Sequence, residues 1–235
     1  MKRIAALLLL ALAACASPTP YATSIGLLEP GATISVTAQS GTINAYKPKI
    51  GDPSDRFTIA ATSKLASLAA PTIRRAGNGI SVSAPDGVKT LLVRVPDRVN
   101  LVVRSSTGDI NVTDVTGNVT AAAGTGNVRI MVPGFAQASA EKGDLNVTFG
   151  ATTWPGTLSF TTGSGDIEVY VKQIAKFRVH LHTDDGTLFT DFGLRGTSQG
   201  NAETIDGAVN GGGHAAIDIV THKGSIRLLE LTPQA

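Results

Sequence analysis

The feature that most constrains the fold is a glycine that recurs at regular intervals, often followed by Asp or Asn and then by a branched aliphatic residue. The stretch TGDINVTDVTGNVTAAAGTGNVRI (residues 107–130) contains this motif three times, nine residues apart. The glycines of the series are Gly108, Gly117, Gly126, Gly143, Gly165, Gly186, Gly207 and Gly224. If Gly117 marks a half-turn, the intervals are 17 to 22 residues, which is typical of solenoid repeats.

Short alternations of apolar and polar residues follow most of these glycines. They are Ile110 and Val112, Val128 and Ile130, Leu145 and Val147, Ile167 and Val169, and Ile226 and Leu228. A second alternation often occupies the other half of the interval, as in Leu158 with Phe160, Phe177 with Val179 and Leu181, and Ile217 with Ile219. Because side chains of a strand alternate between its two faces, each interval predicts two short strands joined at glycine corners.

The corner residues fit this interpretation. Glycine permits a positive φ, and Asp or Asn bonds nearby backbone. The next aliphatic residue begins an inward row, with coils stacked about 4.8 Å apart. Small residues narrow the interior of the second and third coils, namely Ala121, Ala123, Ala136, Ala138 and Ala140. We therefore expect an all-β fold, a single-stranded β-helix-like solenoid, right-handed, with 17–22-residue coils and six or seven coils over residues 100–230. A β-sandwich, which also has short strands and frequent turns, is the alternative.

The N-terminus resembles the signal peptide of a bacterial lipoprotein. A cationic start precedes the apolar run Ile4–Ala14, which is too short to span a bilayer as a helix. Leu12-Ala13-Ala14-Cys15 is similar to the lipobox, and Cys15 is the only cysteine of the chain. The resemblance implies cleavage before Cys15 and lipid attachment to it. The residue after the cysteine is Ala16 and not Asp, a pattern similar to that of Gram-negative lipoproteins sorted to the outer membrane. An ordinary signal peptide with a chance cysteine is the alternative.

The charge of the chain argues against a nucleic acid as its partner. Processing before Cys15 leaves 235 − 14 = 221 residues and removes Lys2 and Arg3, so the formal charge falls from +2 to 0. Charged residues make up only 16% of the chain, and no run of Lys or Arg forms a basic patch. We therefore expect no binding to nucleic acid.

Four segments are predicted along the chain. Residues 1–14 form the signal peptide, residues 15–29 a lipid-anchored tether, residues 30–100 a less regular N-terminal β portion, and residues 101–231 the solenoid repeats. The tether assignment rests on two prolines and several small residues. The one helical signal is SKLASLAA at Ser63–Ala70, which Pro71 ends.

Taken together, the repeated motifs resemble the DUF4097 family of candidate adhesins. The Gly-Asp-Ile-x-Val and Gly-Asn-Val steps carry the resemblance, with the elements Val209–His214 and Lys223–Leu228. It covers roughly residues 30–230, and His214 stands where the family often has proline. The resemblance implies a β-solenoid-like domain of the bacterial envelope and a role in adhesion. It brings no catalytic residues.

The best candidate for chemistry is the segment His180-Leu181-His182-Thr183-Asp184-Asp185. On a strand, His180 and His182 share one face, and Asp184 or Asp185 follows at the corner, so the segment could supply zinc ligands. The alternation makes Leu181 the inward residue and leaves both histidines exposed. We therefore predict surface histidines and no metal site.

Two further ligand or enzyme hypotheses are weaker. A calcium-binding β-roll needs doubled glycines and a spaced aspartate in each repeat, whereas the nine-residue repeat here has single glycines with Asp or Asn directly after them. Asp109, Asp144 and Asp166 could form the column of carboxylates that a glycoside hydrolase needs. Since each follows a corner glycine, a structural role is favoured. Gly211-Gly212-Gly213 is expected to be a turn rather than a phosphate cradle, and we predict no catalytic residue and no cofactor.

These observations lead to one functional prediction with two alternatives. We predict a lipid-anchored protein of the cell envelope, in the outer membrane if the cell is Gram-negative, that acts as a non-enzymatic adhesin-like binding or scaffold module. Its partners would be the membrane, through the N-terminal lipid, and a glycan or envelope protein. The alternatives are a carbohydrate-active β-helix enzyme and a self-assembling envelope solenoid. The binding residues and the oligomeric state do not follow from the sequence.

Overall fold

The structure is a computed structural model that describes residues 22–63 and 69–231, in which all regular structure is β-strand. The predicted signal peptide, Cys15 and most of the helical signal at Ser63–Ala70 lie outside the described residues. Within the described ranges, no helix is long and apolar enough to cross a membrane.

The strands, numbered in chain order, form two long sheets. Those of the N-terminal portion are β1 (Ala22–Leu27), β2 (Thr33–Ser40), β3 (Thr42–Tyr46), β4 (Arg56–Thr62), β5 (Thr72–Ala76), β6 (Gly79–Ala84) and β7 (Thr90–Arg94). The next eight are β8 (Asn100–Thr107), β9 (Ile110–Thr113), β10 (Val119–Thr125), β11 (Val128–Val132), β12 (Ala136–Lys142), β13 (Leu145–Phe149), β14 (Thr157–Ser164) and β15 (Ile167–Lys172). The last are β16 (Phe177–Asp185), β17 (Leu188–Thr190), β18 (Thr197–Gln199), β19 (Ala202–Val209), β20 (Ala216–Lys223) and β21 (Ile226–Leu231).

Each coil of the solenoid consists of one strand in each sheet. Sheet A has the order β1-β4-β7-β3-β9-β11-β13-β15-β21-β17, and sheet B has the order β18-β19-β16-β20-β14-β12-β10-β8-β2-β6-β5. From β8 to β15 the chain winds regularly, and successive coils pair in parallel and in register, as Val119 does with Leu101 and Ala136. The β-solenoid prediction is confirmed. Parallel stacking of equivalent strands also separates this fold from the antiparallel sheets of a β-sandwich.

The coils at both ends are not in sequence order. The coil β20/β21 lies between β14/β15 and β16/β17, and the coil β2/β3 lies between β6/β7 and β8/β9. At the C-terminal end, β19 pairs antiparallel with β16 and β18 pairs antiparallel with β19, so this hairpin covers the edge of the last coil. At the C-terminal end the outer coil β16/β17 therefore forms first and β20/β21 fills the position inside it, whereas at the N-terminal end the inner coil β2/β3 precedes the outer coil β6/β7.

The two sheets continue without a break through residues 30–100, which contribute the coils β2/β3 and β6/β7. The tether interpretation does not hold for Ala22–Leu27, because these residues form β1 and pair antiparallel with β4 at the edge of sheet A. The following Leu28 is buried, with 4% exposure, and its backbone N–H donates to the Asp55 carbonyl. Composition alone suggested a linker, but burial of Leu28 and the ladder to β4 order the segment.

The core lies between the two sheets, and the size of the side chains that fill it changes along the axis of the solenoid. The predicted inward residues Ile110, Val119 and Val128 are at most 1% exposed, and the predicted alanine column is buried. Toward the C-terminal coils the interior is filled by aromatic rings, among them Phe149, Phe160, Phe177 and Trp154. Trp154 also donates its indole N–H to the Ala216 carbonyl at 2.9 Å, which ties the β13–β14 loop to the inserted strand β20.

Two glycines show why the corners need this residue. Gly143 has φ 141°, and a Cβ there would lie 2.1 Å from the Gly126 carbonyl oxygen of the preceding coil. Gly117 has no positive φ, but a Cβ would lie 2.0 Å from the Val99 carbonyl oxygen, so close approach of backbone excludes a side chain. Gly207 is a correction to the series: it lies within β19 and not at a corner, because β18 and β19 form the capping hairpin instead of a coil.

Candidate functional site

A column of polar side chains links the coils along one corner of the solenoid. Each side-chain oxygen accepts a hydrogen bond from the backbone N–H of the equivalent residue in the adjacent coil. The pairs are Asp109 with Asn127 (2.8 Å), Asn127 with Asp144 (2.9 Å), Asp144 with Asp166 (2.9 Å) and Asp166 with Ser225 (2.7 Å). We call these five residues the corner ladder. A structural use for the corner aspartates was predicted, and the ladder identifies it as a bond between coils.

The ladder refines the predicted role of these residues. They were expected to satisfy their own corners, but their Oδ1 atoms reach one coil further along. The opposite corner repeats the device, since the backbone N–H of Asn118 donates to Asn100 Oδ1 at 3.0 Å. The three aspartates of the enzyme hypothesis, Asp109, Asp144 and Asp166, thus each use one carboxylate oxygen to hold the stack together.

A second polar column runs beside the ladder on the outer face of sheet A. It consists of Asn111, Arg129, Asn146, Glu168 and Arg227, which occupy equivalent positions on β9, β11, β13, β15 and β21. We call it the polar row. Glu168 is its best-connected member: it accepts hydrogen bonds from Asn146 Nδ2 (3.0 Å) and Arg227 Nη1 (3.3 Å).

Tyr170 lies two residues beyond Glu168 on β15 and points to the same face. Its hydroxyl donates to Glu168 Oε2 at 3.4 Å. Burial, followed by the nearby Glu168 carboxylate, raises the pKa of the Tyr170 hydroxyl, so it is a neutral donor at physiological pH. The centre of the polar row therefore presents an amide, a carboxylate, a guanidinium and a phenol within three coils.

The corner ladder and the polar row enclose a shallow channel, which we call the corner groove. It contains two adjoining cavities of about 200 and 280 Å³. Arg129, Asp144 and Asn146 line both cavities. No hydrogen bond or ion pair joins the Arg129 side chain to any residue that the structure describes, whereas Arg227 is paired with Glu168. Arg129 is thus an unpaired guanidinium at the junction of the two cavities.

The predicted histidine segment forms a separate cluster on the outer face of sheet B. His180 Nδ1 lies 2.7 Å from Asp206 Oδ1, and His182 Nε2 lies 3.0 Å from Asp184 Oδ1. His222 joins from β20, with Nδ1 2.7 Å from Asp184 Oδ2. Asp184 therefore bridges two histidines on adjacent strands.

The exposure of this cluster follows the predicted alternation. Leu181 is fully buried, whereas the side chains of His180 and His182 are 46% and 31% exposed. Over residues 22–63 and 69–231, no group of three His, Cys, Asp or Glu is arranged to hold a metal ion. Sequence reasoning missed His222, which lies 40 residues beyond His182 and reaches the cluster only because β20 inserts beside β16.

Hydrogen bonding sets the charge state of Asp184. The bond from His222, followed by the bond from His182, lowers the pKa of the Asp184 carboxyl below its ordinary value of 3.8. The side chain is half-exposed and its partial burial opposes the shift, so the lowered pKa comes from the direct hydrogen bonds. The cluster is an electrostatic clamp between β16 and β20.

The glycine run is a turn, as predicted. Gly211-Gly212-Gly213 connects β19 to β20, and Gly211 and Gly212 have φ of 82° and 73°. The preceding Asn210 anchors the turn, because its Nδ2 donates to the carbonyls of Gln173 (2.7 Å) and Ala175 (2.8 Å). No helix follows the run, so its backbone has no dipole to offer a phosphate.

Comparisons with known proteins identify the family of the chain. No curated protein matches the chain. Its fold is similar to that of a candidate cell adhesion protein from Clostridium sporogenes, at 12% identity and a TM-score of 0.49 over 91% of this chain and 100% of that one. A candidate adhesin from Bacteroides fragilis is similar at 11% identity and a TM-score of 0.29, over 89% and 96% of the two chains. The sequence pattern of DUF4097, described as Toastrack, matches residues 97–229, which confirms the resemblance seen in the motifs. The chain belongs to the DUF4097 (Toastrack) family.

Proposed function

We propose that this protein is a lipid-anchored binding module of the bacterial envelope, and that its corner groove holds a glycan. The lipobox-like sequence ending at Cys15 supports the anchor. An adhesin-like role agrees with the names given to the two proteins of similar fold. The observation that carries the proposal is the unpaired Arg129, which stands in a groove of hydrogen-bonding side chains on a rigid scaffold.

The periodicity of the groove suits a polymeric, hydroxyl-rich ligand. Equivalent side chains on adjacent coils are about 4.8 Å apart, and a pyranose unit of an extended glycan advances by a similar distance. Successive sugars would thus meet successive coils. Asn111 and Asn146 offer both donors and acceptors, and the ladder carboxylates retain a second oxygen each. Such mixed partners match sugar hydroxyls, which donate and accept.

The charge of the groove narrows the class of glycan. Four carboxylates line it (Asp109, Asp144, Asp166 and Glu168) against the two guanidinium groups of Arg129 and Arg227. A polyanionic glycan would meet net repulsion at short range. The groove therefore suits a neutral or amine-bearing glycan, with Arg129 placed to donate to hydroxyl or amide oxygens.

Titration of the protein with neutral and amine-bearing oligosaccharides by calorimetry tests the groove. We expect Arg129→Ala and Asn146→Ala each to weaken binding at least about tenfold, since each removes donors from the ligand. The matched control is Arg104→Ala, which removes a guanidinium from the outer face of sheet B. Equal binding by Arg129→Ala and the parent protein, or an equal loss in Arg104→Ala, would contradict the assignment.

The anchor has its own test, which is independent of the groove. The full chain expressed in bacteria should incorporate labelled palmitate and should accumulate as precursor in the presence of globomycin, which blocks lipoprotein signal peptidase. Cys15→Ser should abolish labelling and release the protein from the membrane fraction. Labelling that persists in Cys15→Ser would refute attachment at this residue.

A further inference from the structure

The end of the solenoid nearest the N-terminus exposes large apolar side chains. Among the described residues, the exposed large hydrophobic side chains are Ile25, Leu27, Ile50, Met131, Ile174 and Phe189. The first three have exposures of 61%, 57% and 108%, and all lie before β4 in the chain. Ile25 and Leu27 lie on edge strand β1, and Ile50 lies in the loop between β3 and β4.

Backbone pairing brings the end of the loop that carries Ile50 to β1. Leu27 is the register partner of Arg56, the first residue after the loop. The next backbone N–H, that of Leu28, donates to the Asp55 carbonyl at 3.1 Å, so the loop that carries Ile50 ends beside Leu27. We call Ile25, Leu27 and Ile50 the end patch.

The charges around the end patch nearly cancel. Asp52 is paired with Arg94 at 2.9 Å, and Lys47 lies 3.8 Å from Asp114. Lys49, Asp55 and Arg56 are exposed. The end patch itself therefore carries little net charge, whereas Arg74 and Arg75 on β5, the edge strand of sheet B at the same end, add two exposed positive charges.

The short segment between Cys15 and β1 indicates which surface covers this patch. Cys15 and Ala22 are separated by seven residues, which span at most about 25 Å when fully extended. β1 is the outermost strand of sheet A, whereas β15 lies seven strands further along it, about 30 Å away. A lipid on Cys15 would therefore keep the end patch within about 25 Å of the bilayer, a shorter distance than that between β1 and β15.

We infer that the end patch contacts the lipid surface itself, so that the solenoid meets the bilayer at the β1 edge of sheet A, with Ile25, Leu27 and Ile50 in the interfacial region. This inference rests on the proposed lipid anchor. Apolar side chains gain free energy on leaving water for the acyl boundary, and three near one edge fix an orientation that a flexible tether alone would not. The corner groove begins at the coil of β9, four strands further along sheet A than β1, and so lies beyond the contacting edge.

Single-cysteine labelling of the full lipoprotein tests this orientation. Since Cys15 is the only native cysteine and carries the lipid, Ile25→Cys and Ile50→Cys can each be labelled with a polarity-sensitive fluorophore. The matched control is Ile174→Cys, an exposed isoleucine (73%) in the loop after β15. The labelled proteins are reconstituted into phosphatidylcholine vesicles that contain a lipid-borne quencher, and their flotation with the vesicles is recorded.

We expect blue-shifted emission at positions 25 and 50 and quenching there at least about threefold stronger than at 174, since the interface is less polar than water. Equal quenching at all three positions means a solenoid lying on its side and overturns the inference. Quenching at none of them, in protein that floats with the vesicles, means that the tether holds the body clear and also overturns it. Protein that neither floats nor protects Cys15 from labelling refutes the anchor itself, so the two failures are distinguishable.

Discussion

The Oδ1 atom of Asp144 accepts a hydrogen bond from the backbone N–H of Asp166 at 2.9 Å, although the two residues lie in different coils and are 22 positions apart. In the other direction, the backbone N–H of Asp144 donates to Asn127 Oδ1 at 2.9 Å. One residue thus joins three coils. Asn at position 127 shows that the device needs a side-chain oxygen and not a negative charge.

Removal of the Asp144 Oδ1 atom should therefore weaken the stacking of the coils. We expect Asp144→Ala to lower the free energy of unfolding by about 0.5–1.5 kcal/mol, the usual net value of one hydrogen bond. Asp144→Asn keeps the acceptor and should cost less than half as much. Urea denaturation followed by circular dichroism measures both. Equal stability of the two variants would show that the ladder contributes nothing.

Substitution of a corner glycine by alanine should destabilise the protein far more than substitution of a loop glycine. Gly143→Ala places a Cβ 2.1 Å from the Gly126 carbonyl oxygen at a φ of 141°, so we expect a loss of about 3 kcal/mol or more. Gly134→Ala is the matched control, because its Cβ would meet nothing closer than 3.5 Å. We expect that variant to stay within about 0.5 kcal/mol of the parent by the same denaturation measurement. A Gly143→Ala protein of parental stability would refute the corner geometry.

The histidine cluster should respond to acid through Asp184. Because hydrogen bonds from His222 and His182 lower the pKa of this carboxyl, its contribution to stability is present above the ordinary value of 3.8 and is lost as the pH falls through the lowered pKa. The stability difference between the parent and Asp184→Ala should accordingly be largest above pH 3.8, decrease below it and disappear once the pH has fallen through the lowered pKa.

Carbon NMR of the Asp184 carboxyl provides the direct measurement. Its pKa should lie below 3.8 in the parent protein and move back toward that value in His222→Ala, which removes the larger of the two causes. An unchanged pKa in His222→Ala would mean that the contact between β20 and β16 does not form in solution.

Trp154 should be the most sensitive aromatic position. Its ring packs against Phe149 and Phe177 at centroid distances of 5.4 and 5.6 Å, and its N–H binds the Ala216 carbonyl. We expect Trp154→Ala to cost about 3–5 kcal/mol and Trp154→Phe, which keeps much of the packing, about 1–2 kcal/mol. Phe189→Ala, at a half-exposed aromatic, should cost under about 1 kcal/mol. Thermal unfolding followed by far-ultraviolet circular dichroism compares all three, and similar losses in Trp154→Ala and Phe189→Ala would contradict the role of Trp154.

Local patterns in the sequence predicted much of the regular region. The alternation identified Ile110, Val119 and Val128 as inward and His180 and His182 as outward, and the structure confirms each. These predictions succeed because the facing of a side chain depends on the period of its own strand, which neighbouring residues specify.

The predictions that failed concern chain segments whose partners are distant. Gly207 fits the glycine series by position, yet it belongs to a capping hairpin, and residues 22–27 read as a tether although they pair with β4. Edge strands gain their order from the sheet that they join and not from their own composition. His222 escaped notice for the same reason, since nothing near it in sequence shows that β20 lies beside β16.

The sequence by itself determined the repeat, the two-strand coil, the inward columns and the membership of a family, because each depends on periodic choices of glycine and aliphatic residues within about 20 positions. The tertiary structure alone decided the order of the end coils, which places β20 between β14 and β16 and β2 between β6 and β8. Parallel strands of similar pattern can stack in several orders, and at the C-terminal end the observed order is accompanied by ring packing around Trp154 and by the capping strands β18 and β19. The corner groove and the end patch follow from that order, so both became visible only in the folded chain.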